Sequence, residues 1–522
     1  MKNILAWLDN LAAITSENFF ARALDRIAFV FLFIMVVSAP HSIAATQIAW
    51  LTGMLAWLIR FAFKPRPRFG RTALHLALLA FFGLTVVSSV FSYEPAISLD
   101  KLRGAGLFMI FFFAASNVRS NRAAVFLASA LILSAMVNVI WTPLERLIGR
   151  GMEIHGLSPN SPLARAGLAD GDTIFRVNGR RLTSPDELAS ALEQRETADV
   201  RFHRPDIERT AILRRSDLLA GQTAAEKLGF QTWHKNRKWR ATGFYGHFTT
   251  YSEVLQLIGS LAFGLILAGI YSMVRSRGGD GTGRITIYAA TVKLFSEKRL
   301  ILLAASFGLI MLALLLSGTR ASQIGMMASA FAMVAALGSR KLLAAMILAA
   351  IPVGLLGYYA LLQTRQQDET NEYRMTMWRD GVRLAAENPR HLAVGVGMDS
   401  IKKNWAEWGL FDGGRLPMGH FHSTPIQLAV ERGLPALLVW LIILWIYALT
   451  MWRFIAQKLD YSDWPLTGIA IGCLGGLVGF STAGIVHYNL GDGEVVMVFY
   501  LLMAIGIKIV GLAGEKHSEI PA

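Results

Sequence analysis

The sequence predicts an all-α polytopic membrane protein of about 12 transmembrane helices, with a small extracytoplasmic α+β insertion. Three observations lead there. Hydrophobic residues make up 54% of the 522-residue chain and charged residues 17%, too apolar a balance for a soluble protein of this length. The apolar residues fall in runs near the roughly 20 that a bilayer requires, with basic clusters between them. One internal stretch, from Leu147 to about Arg215, is soluble in character. The net charge of +15 sits in the short clusters between runs, as expected of loops facing an anionic leaflet, so no nucleic-acid partner is expected. Cys473 is the only cysteine, so no intrachain disulfide forms.

Residues Lys2 to Arg26 place Ile4, Leu8 and Leu11 on one face, the pattern of an interfacial helix. The first apolar run begins near Ile27 and lacks a small-residue cleavage site, so a removed signal peptide is not expected. Runs Ile27–Ser38 and Ile43–Phe63 lead to the cluster Lys64 to Arg68, which the positive-inside rule puts in the cytoplasm together with the N-terminus. Ala73–Phe91 then runs outward, Tyr93–Arg103 is an outer loop, Gly104–Ala115 returns to Arg119 and Arg122, and Ala123–Trp141 leads out. These five helices form a first region, 1–146.

The insertion occupies 147–218, and a second helical region spans 219–522. In the latter, Tyr251–Val274 returns to a long basic loop, Leu300–Leu315 runs out, and Ser317 to Arg320 turns at the outer face. Gln323–Leu337 and Leu342–Leu362 follow, then a large outer segment, 363–424. Within that segment Met375, Trp378, Val382 and Ala385 share a helical face, and the helix should stop at Asn388-Pro389. Runs Pro425–Trp452, Leu466–Ile485 and Val495–Ile509 end at a cytoplasmic tail. Glycines 468, 472 and 476, with 475 and 479, repeat at four-residue spacing, as close helix packing requires.

In the insertion, Asn178-Gly179 signals a hairpin turn, and Ser184-Pro-Asp-Glu is a helix N-terminus with acids in its first turn. With Ser161-Pro162, Ala166-Gly167-Leu168, Gly171-Asp172 and Ile174, this stretch resembles a bacterial PDZ domain. Such a domain implies a possible periplasmic protein partner. The segment Gly149–Met152, where its carboxylate-binding loop should lie, departs from the pattern, so peptide capture and a plain spacer or docking wall both stand as readings.

Four motifs fall on the outer face: Arg240 to His247, Ser317 to Arg320, Arg374 to Gly397, and His420 to Gly433. They gather arginines and histidines without a dense acidic cluster. Guanidinium forks bind phosphate oxygens in pairs and stay charged, so arginines at a membrane boundary suit a lipid diphosphate. A neighbouring imidazole can take a proton from an attacking hydroxyl. The acids Asp368, Glu369, Glu372, Asp492 and Glu494 lack Asp-x-Asp spacing and read as solvated; no metal site is expected.

These motifs resemble the O-antigen ligase and polymerase family. The signature is carried by His422-Ser423, nine residues, then Gly433-Leu-Pro-Ala436, with Ala436 departing from the family's Gly, Thr or Tyr. Arg240-Ala-Thr-Gly, Gly318-Thr-Arg320, Arg374, Trp378, Pro389 and Gly395-Val-Gly397 extend it. The resemblance implies transfer of a glycan from a polyprenyl (undecaprenyl) diphosphate carrier to a lipid, glycan or protein acceptor hydroxyl, on the periplasmic face of a bacterial inner membrane, without metal or other cofactor. It implies His422 as base or acceptor-positioning group and Arg240 and Arg320 as diphosphate ligands, with Arg374, His420 and His247 as substrate-binding residues.

Two other classes compete. An intramembrane metalloprotease needs His-Glu-x-x-His, which the chain lacks. A secondary or lipid-carrier transporter with a periplasmic partner-binding domain fits the span number, but it should place polar residues near the midplane and repeat its halves.

Overall fold

A computed structural model describes residues 2–67, 72–204, 207–275, 297–338, 340, 343–344, 346–348, 369–416, 419–457 and 463–518. Among them, eight helices are long and apolar enough to cross a membrane: Ile43–Arg60, Ala73–Val90, Asn121–Ile148, Phe248–Met273, Lys298–Leu316, Thr424–Gln457, Trp464–Gly484 and Gly493–Ala513. The expected span Leu342–Leu362 lies almost wholly outside the described residues. The expected loop and span over 93–115 are replaced by helix Pro95–Ala105, one 3₁₀ turn and a short helix, Met109–Asn117.

The N-terminal stretch also divides. Helix Lys2–Leu11 ends before Asn18, whose side chain accepts from Ala21 N and starts a new helix, Phe19–Ser38. Phe19 to Arg26 thus belongs to the helix that carries the first apolar run, not to the N-terminal helix. Asp25 on this helix is buried, and accepts from Arg60 Nε at 3.1 Å, Arg119 Nη2 at 2.7 Å and Ser16 Oγ at 2.8 Å. A buried carboxylate held by two cations fixes three separate segments at the basic end of the bundle.

The chain forms two compact units, 1–138 with 244–315 and 319–522, and 139–243 with 316–318. In the first, helix Trp464–Gly484 lies against Phe248–Arg275 at backbone distance. A Cβ on Gly472 would come within 2.6 Å of Leu261 Cα, and one on Gly468 within 2.7 Å of Leu265 Cα. The glycine row is therefore a packing seam, as its spacing predicts.

The second unit is a small antiparallel sheet with short helices. Strands β1 (Arg150–His155), β2 (Thr173–Val177), β3 (Arg180–Arg181), β4 (Thr197–Arg204), β5 (Ile207–Arg214) and β6 (Thr232–Asn236) lie in the order β5-β4-β2-β1-β6, with β3 on β2. Its core holds Met152, Ile154, Ile174, Leu188, Val200 and Phe230. Asn178 and Gly179, at φ 50° and 77°, make the hairpin turn expected of them. Ser184 precedes its helix as expected, but its hydroxyl makes no capping bond; Glu187 reaches back to Thr183 N instead, at 2.9 Å. Strand β6 lies beyond the expected limit near 218 and pairs with β1, so this unit extends to 243.

Candidate functional site

Alternation along an extended loop builds the centre of the site. In Gly419-His-Phe-His422, Phe421 turns inward, fully buried against Phe411 with ring centroids 5.5 Å apart. The two flanking imidazoles therefore share the other face, with centroids 4.1 Å apart. His422 adopts φ 49°, and its N–H donates to His420 Nδ1 at 3.1 Å. That bond places the proton of neutral His420 on Nε2. Phe421 N donates to Gln427 Oε1 at 2.8 Å, tying the loop to the helix that starts at Thr424.

The loop between Gly484 and Gly493 closes over this face. Thr424 Oγ1 donates to His487 O at 3.1 Å and bonds Asn489 Oδ1 at 2.9 Å. His487 Nδ1 lies 2.9 Å from the buried Glu253 Oε1, and its ring centroid is 6.3 Å from that of His420. Burial alone would lower the pKa of His487, but the Glu253 carboxyl outweighs it and the net shift is upward. His422 goes the other way. Burial, then the charges of His487, Arg374 and His247, hold it down at about 4. His420, lowered by burial and then by His422 and His487, falls to about 3. Both imidazoles are neutral at pH 7.

The arginines occupy different environments. Arg374, half-buried on helix Glu369–Glu387, is pushed below its ordinary value by burial and then by the charge of Arg320. Arg320, exposed, opens helix Arg320–Ala336 after the turn at Gly318, φ 64°. His247 is also exposed and accepts from Thr249 N at 3.2 Å at the start of helix Phe248–Arg275. The first unit thus brings His247, Arg320, Arg374, His420 and His422 into one electrostatic neighbourhood. Arg240 belongs to the second unit, where its guanidinium donates to Ser317 O at 3.0 Å and Gly318 O at 2.9 Å.

The spacing between His422 and Gly433 acquires a physical meaning here. Gly433, at φ 80°, interrupts the helix with nine residues between it and Ser423, and a Cβ there would lie 2.7 Å from Ala393 O. Gly395 and Gly397 approach the break from the other side: Val396 N donates to Val430 O and Gly397 N to Glu431 O, each at 2.9 Å. A Cβ on Gly395 would meet Glu431 C at 2.4 Å. These glycines let a turn dock against a broken helix. Ala436 is fully buried just past the break, where a small side chain is needed.

Beside His420 lies a cavity of about 230 Å³, walled by Lys101, Asp399, Lys402, Glu431, Arg432 and Tyr488 among others. Burial would raise Asp399, yet Lys101 at 2.9 Å and Lys402 at 3.1 Å hold it below the usual carboxylate range. Arg432 is buried, stacks on Phe81 with 5.2 Å to the ring centroid, and leaves its Nε without a hydrogen-bond partner.

Several details differ from the expected ones. On helix Glu369–Glu387 the residues packed inward are Met377, Leu384 and Ala385; Met375 and Val382 are each 59% exposed. Asn388 ends that helix and caps the next, accepting from Arg390 N at 2.9 Å. Asp492 is half-buried and accepts from Thr250 Oγ1, so it is not simply solvated, and Glu494 is half-buried too. Asp368 lies outside the described residues. His487, Glu253 and Lys101 carry no motif, and Arg432, though inside the His420–Gly433 motif, is not singled out there; sequence reasoning passes all four over.

Comparison with known proteins agrees with this division. Residues 305–441 match the O-antigen ligase family and residues 153–202 match a PDZ domain. Two curated relatives, both named magnetosome formation protease MamE, share short stretches. The one from Magnetospirillum gryphiswaldense is 44% identical over 46 residues, 9% of this chain and 6% of the relative. The one from Paramagnetospirillum magneticum is 35% identical over 71 residues, 14% of this chain and 9% of the relative. The chain therefore spans less than a tenth of either relative. What it carries is an O-antigen ligase segment, within which Arg320, Arg374, His420 and His422 all fall, together with an inserted PDZ domain.

Proposed function

We propose that the protein is a membrane glycosyltransferase. It moves a glycan from a polyprenyl diphosphate carrier to an acceptor hydroxyl on the outer face of a bacterial inner membrane, with both termini in the cytoplasm. The observation that carries this reading is a half-buried, neutral imidazole, His422, within electrostatic reach of the Arg374 guanidinium, in the segment that matches the O-antigen ligase family. Arg320 and Arg374 hold the diphosphate oxygens. His422 takes the proton of the acceptor hydroxyl as its oxygen attacks the anomeric carbon. The bond from that carbon to the diphosphate breaks, and the carrier leaves with the electron pair, its charge balanced by the two arginines. A diphosphate leaving group so neutralised requires no metal. His420 orients His422 through the hydrogen bond to its N–H, and His247 contributes charge at the rim. Arg240 acts as a positioning residue, gripping the turn from which Arg320 follows. The cavity beside His420 is the size of a single sugar ring and has cations on its wall.

The transport reading requires polar groups free at mid-membrane. Gln256, Ser260 and Ser329 are buried among the helices, but Gln256 Nε2 donates at 3.0 Å both to Ser260 on its own helix and to Ser329 on a neighbouring one, and Ser329 Oγ donates to Gly475 O at 2.6 Å. These polar groups are taken up in helix packing.

The test is transfer from purified polyprenyl-diphosphate glycan in membranes, with protein level checked by blot. His422→Ala should lower turnover by about 10²–10⁴-fold, the range for loss of a general base. Arg320→Ala and Arg374→Ala should both raise KM for the donor and lower kcat. Full activity in His422→Ala and Arg320→Ala, with normal insertion, would overturn the reading.

A further inference from the structure

One cluster in the second unit plays no part in the transferase reading. Glu153, His155 and His234 each direct one ligand atom toward the others, all within 4.8 Å. Strand geometry puts them there. Glu153 and His155 are two apart on β1 and share a face, and His234 on β6 pairs directly with Glu153 across the ladder. The two imidazoles stack nearly parallel, with centroids 4.7 Å apart and planes at 7°. Glu153 Oε1 lies 3.3 Å from His155 Nε2, and Oε2 lies 3.6 Å from His234 Nε2.

Two further observations point to a ligand. His155 Nε2 is buried and makes no hydrogen bond, although a carboxylate oxygen faces it. On the other side of the same ring, Nδ1 faces Asp170 Oδ2 at 3.7 Å, and Asp170 is itself fixed by the N–H of Leu157 at 3.1 Å. A carboxylate behind one ring nitrogen turns the opposite nitrogen into a metal ligand with a set tautomer.

We propose that Glu153, His155 and His234 bind one Zn²⁺ ion, with Asp170 orienting His155. Imidazole and carboxylate ligands at bond lengths of about 2.0–2.2 Å lie about 3.3 Å from one another around a tetrahedral ion. One separation, Glu153 Oε1 to His155 Nε2 at 3.3 Å, already matches, and the others, all within 4.8 Å, close by rotation of the Glu153 carboxylate and of His234, whose side chain is 60% exposed. Water supplies the fourth position. The ion ties β6, the edge strand on which the chain leaves the sheet, to β1. Glu153 and His155 are two residues apart, but no complete ligand motif announces this site, because the third ligand, His234 on β6, is far from them in the sequence.

The test uses the purified full chain in detergent, stripped with chelator and titrated with Zn²⁺ by calorimetry, with metal content read by mass spectrometry. One equivalent should bind. His234→Asn, at an exposed edge position, should weaken binding at least 100-fold, and Asp170→Asn should weaken it about 10–100-fold as loss of an orienting carboxylate does. Zn²⁺ should also raise the melting temperature of the wild type but not of His155→Ala/His234→Ala. Absence of binding, or equal binding by that double variant, would overturn the proposal. Loss of the zinc in His422→Ala would likewise overturn it, by placing the ion among the loop histidines.

Discussion

At His422, burial and three neighbouring positive groups all oppose protonation, and the group is held at about 4. A base that weak gains strength only when negative charge arrives. On the proposed function, a diphosphate held between Arg320, Arg374 and His422 would supply it and raise the pKa of the imidazole toward its ordinary value in the complex. The acid limb of kcat/KM, which reports the free enzyme, should therefore fall near pH 4, while the limb of kcat lies at higher pH. Both are readable from pH–rate profiles of glycan transfer. Glu253→Gln gives the sign a second check. The carboxylate favours protonated His487, and protonated His487 disfavours a proton on His422. Removing it should move the kcat/KM limb upward, toward the ordinary histidine value, and an unmoved limb would break this chain of coupling. His422 and Arg320 stand out in the sequence because each sits in a motif beside an apolar run, and Arg374 because it sits in the outer segment between two such runs. His487 and Glu253 are not, since the pair is 234 residues apart and Glu253 is a lone acid within an apolar helix.

Between His422 and the span, the element that matters is a helix broken at one residue. The break frees the carbonyls of Val430 and Glu431 to accept from the backbone N–H groups of Val396 and Gly397; an unbroken helix would turn Val430 O to its own Leu434 N–H and leave Glu431 O opposite Pro435, which has none. Gly433→Ala places a Cβ where φ is 80° and Ala393 O is 2.7 Å away. It should cost about 1–3 kcal/mol in backbone strain, and the clash adds to that. The measurement is a lower melting temperature in detergent together with reduced transfer, and Ala436→Gly, at a small-residue position outside the break, should leave transfer far less affected. Spacing alone marks Gly433 as special, but its partner Gly395 is recognised only once the two elements meet. The helix over 369–387 teaches the reverse lesson. Its sequence carries two apolar stripes, one through Met375 and Val382 and one through Met377 and Leu384, and periodicity cannot tell which one the protein covers. Strand β6 escapes notice for a related reason: Thr-Trp-His-Lys-Asn lies almost wholly exposed at a sheet edge and shows no alternation of burial.

Across the whole chain, alternating apolar runs and basic clusters carry most of the helical architecture, because a bilayer sets helix length and loop charge directly. What they misjudge are segments such as 93–117, where short helices replace a loop and a span and hydrophobicity does not count turns. The PDZ insertion is separable on physical grounds. Arg150 pairs with Asn236 across β1 and β6, so the sheet begins and ends on paired residues. Paired residues in an antiparallel ladder lie about 4.5–5.5 Å apart at Cα, a gap that two linker residues at about 3.8 Å each can bridge. Replacing 150–236 by Gly-Gly should therefore leave the helical region able to insert. If the domain recruits the acceptor or a partner protein, the shortened chain should keep transfer to a small soluble acceptor added at high concentration while losing most transfer to the native acceptor in membranes. Equal transfer to both acceptors would make the domain a spacer. Loss of both, with normal insertion, would instead assign the sheet a part in holding Arg240 and the turn it grips.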